Sequence, residues 1–147
     1  MKKALYKIFF VQLLLLSYST GFAQIHKPDS VKLEFEGFDT ETVYAIPCDA
    51  FDYIFLKTKK IKIINKQQDL SKFESLRKNF KQAKERSFDV RGKITYHYGN
   101  KAAKYCFDTF GFFYKDGKLS YNKKLLMAIS DNIYSNHPEY LDTLRQP

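Results

Sequence analysis

The chain has no tryptophan, only two cysteines, and no apolar run long enough to span a bilayer. Without tryptophan the strongest aromatic platform for a sugar ring is missing, so any stacking role falls to tyrosine and phenylalanine. The cysteines, Cys48 and Cys106, form no C-x-x-C, which argues against a thioredoxin-type redox site. Also absent are H-E-x-x-H, G-x-S-x-G and G-x-x-x-x-G-K, the signatures of zinc peptidases, serine hydrolases and phosphate-cradling loops. None of His26, His97 and His137 has a second metal-type residue at ligand spacing. The sequence therefore gives no catalytic residue, no metal site and no cofactor. There is no internal repeat, low-complexity tract or linker.

What is present begins with an export pattern. Lys2, Lys3 and Lys7 precede the apolar run from Ile8 to Leu16, and small residues follow, with Gly21 and Ala23 placed for cleavage before Gln24. A membrane span needs roughly 20 apolar residues. This stretch is shorter and interrupted by Gln12. Residues 1–23 are expected to be a cleavable signal peptide of bacterial type and residues 24–147 one globular domain. The expected destination is the periplasm or the medium, with the mature chain soluble.

Removing the leader takes away three lysines and lowers the net charge from +9 to +6. The remaining charge is uneven: residues 24–56 carry −5, residues 57–104 carry +11, and residues 105–147 are neutral overall. The acidic beginning and the basic middle can satisfy each other, or the basic middle can face an anionic partner. Lys57, Lys59, Lys60 and Lys62, with Lys72, Arg77, Lys78, Lys81, Lys84 and Arg86, are the candidate anion-binding surface. Lipopolysaccharide, anionic lipid or an acidic protein would be its partner.

In an oxidising compartment Cys48 and Cys106 have a single possible pairing. A bridge would close a loop of 58 positions, worth about 4 kcal/mol in the chain-entropy model. A buried free pair and a reactive thiol are the alternatives.

Periodicity gives the elements. Val31, Leu33 and Phe35 alternate with charged residues as in a half-buried strand. Glu41–Ile46 reads as a second strand, Asp49 as the cap of a short helix, and Lys60–Ile64 as another strand. Leu70, Phe73, Leu76, Phe80 and Ala83 form a helical stripe, predicting a main helix over about 69–86 capped by Asp69. Residues 88–121 read as an antiparallel meander. Val90, Ile94, Tyr96 and Tyr98 share a face, and with a two-residue turn at Gly99 and Asn100, Ala103, Tyr105 and Phe107 return on the same face and Cys106 points away; a three-residue loop would reverse this. Asp116 and Gly117 mark a second hairpin, and Asn122 caps a last helix over about 122–135. The fold class is α+β, a mainly antiparallel sheet with helices packed on it.

Two carboxylate pairs, Glu34 with Glu36 and Asp49 with Asp52, could serve acid–base chemistry or hold calcium. The polar face of a strand and a helix cap account for them more simply. Phe110–Tyr114 resembles part of the aromatic motif with which RRM sheets stack bases, but Asp108 and Thr109 stand where that motif has a basic residue and glycine. Nucleic acid is not an expected partner. The sequence reads best as a non-catalytic binding domain at the cell envelope. The alternative is an enzyme or enzyme inhibitor whose site is assembled from distant residues.

Overall fold

A computed structural model of the chain describes residues 27–135. The expected leader, His26 and His137 lie outside them. Seven strands form one antiparallel sheet: β1 (Ser30–Phe35), β2 (Lys60–Ile64), β3 (Lys81–Gln82), β4 (Gly92–Tyr98), β5 (Lys101–Phe107), β6 (Phe112–Lys115) and β7 (Lys118–Tyr121), in the order β2-β1-β4-β5-β6-β7-β3. Three helices accompany it: α1 (Phe51–Ile54), α2 (Gln67–Arg77) and α3 (Lys123–Ile133).

The alternation of β1 decides which face is which. Val31, Leu33 and Phe35 are buried with Ile94, Tyr96 and Phe107 against Leu70 and Phe73 of α2 and Leu125 and Ile129 of α3. This is the helical side, and it holds the main core. A smaller cluster of Ile46, Phe51, Phe55, Val90 and Cys106 lies on the opposite side, where the segment carrying α1 covers part of the sheet. The Cys48–Cys106 disulfide fastens that segment to β5.

The central hairpin has the register of a two-residue turn at Gly99 and Asn100. Tyr98 faces Lys101, Tyr96 faces Ala103, Ile94 faces Tyr105 and Gly92 faces Phe107, so the large apolar residues of both strands share the helical side. Cys106 consequently points to the other side. Gly92 has no substitute: a Cβ there would stand 2.3 Å from Phe107 Cζ and 2.7 Å from the Glu34 carbonyl oxygen. At the β6–β7 turn Asp116 and Gly117 both take positive φ, 49° and 77°, the geometry that lets a two-residue turn match the strand twist. Asn122 caps α3 as its position predicts, its side chain accepting from Leu125 N.

Five expectations are corrected. The main helix ends at Arg77, not near 86, because the chain turns at Asn79, whose amide donates to the Leu76 carbonyl. Phe80 then stacks on Tyr105 and packs against Phe113, and Lys81 and Gln82 pair with β7. Phe80 keeps its place in the core while leaving the helix. The helix also starts two residues before Asp69, with Lys66 at the cap position and no side-chain cap bond. Glu41–Ile46 is not a strand. It pairs with no strand of the sheet. It is held instead at Ile46, which donates to Asp89 and accepts from Val90 N, while Val43 is fully exposed. Val90 precedes β4 and joins the smaller cluster, not the face of Ile94. Finally, the cap residue of α1 is Ala50, with no side-chain bond from Asp49.

Candidate functional site

The described residues offer three places where charged side chains gather. The first is where α1 meets the open side of the sheet. Glu34 and Lys93 lie opposite each other on β1 and β4, both nearly buried. Lys59 bridges Glu34 at 3.3 Å and also bonds Asp52 on α1, and Lys93 Nζ donates to the second Asp52 oxygen at 2.6 Å. Lys32 adds a contact to Glu34 at 3.1 Å. Burial raises the pKa of both carboxyls, but the lysines outweigh it. Hydrogen bonds from Lys59 and Lys93 pull Asp52 down to about 2, and Lys32 and Lys59 hold Glu34 below its ordinary range. The bond to Asp52 correspondingly raises Lys59. Every member has an opposite charge in reach, so this network anchors α1 and leaves no carboxylate free to act as a base. The carboxylate pairs weighed from sequence, Glu34 with Glu36 and Asp49 with Asp52, are not assembled. Glu36 bonds Gly37 N and the Thr58 hydroxyl, and Asp49 faces elsewhere.

The second is the joint between the two long helices. Asn122 Nδ2 donates to the Leu76 carbonyl at 2.7 Å and so ties the end of α2 to the start of α3. Within α2, Arg77 makes two bonds to the buried Glu74, at 2.7 and 2.8 Å, and lies over the rings of Tyr96 and Tyr98. The Tyr98 hydroxyl donates to the same carboxylate at 2.6 Å. Burial and these partners compete over Glu74, and Arg77 with Tyr98 wins, so the carboxyl stays below its usual range. Burial pushes the Tyr96 and Tyr98 hydroxyls well above theirs. With Glu74 so occupied, Lys78 reaches it only at 4.0 Å with its side chain 48% exposed. Lys123 and Lys124 stand exposed just past Asn122.

The ten expected anion-binding residues divide between these surroundings. Lys59 belongs to the α1 network and Arg77 to Glu74. Lys62 donates to the Asn132 carbonyl at the end of α3. Arg86 lies 4.3 Å over the Phe112 ring on the open side of the sheet. Lys57, Lys60, Lys72, Lys81 and Lys84 are exposed and have no ion pair among the described residues. Lys60 and Lys72 belong to the helical side with Lys78. Lys81, opposite Tyr121, faces the open side.

The third is a groove of about 730 Å³ on the open side, beside the disulfide. Phe88, Tyr114 and Leu119 line it, with Asp49, Glu85 and Arg86 among its charged residues. Sequence reasoning missed both the α1 network and the groove, since each draws on segments far apart in the chain. Among the described residues no group of three histidine, cysteine or acidic side chains could hold a metal ion, and no helix is long and apolar enough to cross a membrane. Comparison with protein-family models, curated proteins and solved structures finds no match to this chain.

Proposed function

We propose that the chain is an exported, non-catalytic binding domain that recognises a phosphate-bearing component of the cell envelope, lipopolysaccharide or anionic lipid, on its helical side. The observation that carries this reading is the bond between Asn122 and Leu76, which ties the end of α2, where Lys78 is exposed, to the start of α3, where Lys123 and Lys124 are exposed. Lys123 and Lys124 have no ion pair among the described residues, and the carboxylate that Lys78 reaches is already committed to Arg77. Clustered charges of one sign with no internal partner attract an anionic surface through long-range, salt-screened forces. Lys60 and Lys72 extend the positive surface along the same side. The leader-like first residues and the Cys48–Cys106 bridge support an oxidising, extracytoplasmic place of work.

The test is sedimentation of the mature protein with vesicles that contain or lack anionic phospholipid, and with lipopolysaccharide. Binding to the anionic surfaces at low ionic strength, absent from neutral vesicles and weakening steeply as salt rises, is expected. Equal binding to neutral and anionic vesicles, or none to either surface at low salt, contradicts the proposal.

A further inference from the structure

The groove on the open side of the sheet has a chemistry opposite to that of the lysine surface. Tyr114 and Leu119 face each other across β6 and β7, and Phe112 and Tyr121 are the next pair on the same face. Their rings form a strip. Phe112 and Tyr121 lie 5.1 Å apart between centroids, and Phe88 meets Tyr114 at 6.0 Å, tilted by 36°. Arg86 rests on Phe112 at 4.3 Å and near Phe110 at 5.7 Å, which fixes its guanidinium beside the strip. Asp49 and Glu85 are exposed and have no hydrogen bond or ion pair among the described residues. A volume of about 730 Å³ falls in the range of small-molecule sites, about 300–1,000 Å³.

We propose that this groove binds a neutral oligosaccharide, with pyranose ring faces against Tyr114 and Phe88 and hydroxyls held by Asp49, Glu85 and Arg86. The electron-rich faces of aromatic rings attract the polarised C–H groups of a sugar. Carboxylates and a guanidinium form paired, charge-assisted hydrogen bonds that suit neighbouring hydroxyls. Two free carboxylates disfavour an anionic ligand, which separates this site from the lysine surface. An extended peptide is disfavoured because the edge of β7 beside the groove is already paired, by Lys81 and Gln82 of β3 and by Ala83 N to the Leu119 carbonyl. A peptide would find no open edge on β7 to join.

The experiment is calorimetric titration of the mature protein with soluble oligomers of neutral hexose and of N-acetylhexosamine, alongside oligomers of uronic acid and a proline-rich peptide. Neutral oligomers should bind with little dependence on salt. Tyr114→Ala should weaken binding by about tenfold, Asp49→Asn should weaken it comparably, and Tyr114→Phe should retain it because the ring face remains. An unchanged thermal midpoint for Tyr114→Ala shows that the loss is at the site. The proposal is overturned if no neutral oligomer binds at millimolar concentration, if only the uronic acid oligomers or the peptide bind, or if Tyr114→Ala leaves affinity unaltered. A failed lysine surface would leave this outcome untouched, since neutral sugars do not test it.

Discussion

Lys93, pointing to the open side of the sheet, donates at 2.6 Å to Asp52, a residue of the four-residue helix α1 that is too short to hold its own shape. The pair joins a nearly buried ammonium to a carboxylate whose side chain is 46% exposed. Because the folded-state pKa of Asp52 is depressed from 3.8 to about 2, its contribution is complete above the unfolded value and is lost as pH falls from 3.8 toward 2. Acid should therefore release α1 before the sheet. Hydrogen exchange of the Phe51–Phe55 amides should accelerate in that window while those of β4 stay protected. Asp52→Asn should remove the pH step and cost about 1–2 kcal/mol in urea unfolding, less than a fully buried pair because the carboxylate is half in water. Simultaneous opening of α1 and β4 would contradict this account.

The disulfide should stabilise the small cluster more than the main core. Cys48 carries the segment that places Phe51 and Phe55 over Val90 and Cys106, and no strand pairing holds that segment. Replacing both cysteines with serine should cost about 4 kcal/mol in the chain-entropy model and lower protection of residues 46–55 first. Intact mass before and after reduction and alkylation checks the bridge itself. An unchanged mass would remove the premise.

Gly92→Ala should be among the most damaging single-methyl changes in the protein. The added carbon meets the Phe107 ring and the Glu34 carbonyl at once, and the second of these is backbone in a paired strand. Overpacking of this kind costs about 1–3 kcal/mol. A thermal midpoint equal to that of the natural chain would show that β1 and β4 can move apart at that point.

The parts of the fold that were legible in the sequence are those whose signals are local. Gly99 and Asn100 marked the β4–β5 turn, but a three-residue loop fitted the same residues and would have turned Cys106 to the aromatic face; the pairing of Tyr98 with Lys101 decides for the two-residue turn. The end of α2 was not legible. Phe80 satisfies a helical stripe at four residues from Leu76 and a strand alternation with Gln82 equally well, and only the presence of β7 decides between them. Val43 and Tyr44 fit a strand by composition but pair with none and stand exposed. The lysines and arginines were visible as a basic stretch, yet which of them are spent internally depends on Glu34 and Asp52, from earlier in the chain, and on Glu74 within the stretch itself. The groove was invisible for the same reason, since Asp49, Arg86 and Tyr114 meet only after the sheet is built.

The central claim is that the joint of α2 and α3, and not net charge alone, recognises an anionic surface. Binding to anionic vesicles at low salt, compared among the natural chain, the Lys78→Glu/Lys124→Glu double variant and the Lys57→Glu/Lys104→Glu double variant of equal net charge, tests it most directly. The joint variant should lose about tenfold or more in affinity, while the control, altered away from the joint, should stay near the natural value. Equal losses in both variants, or no binding by the natural chain, would contradict the claim.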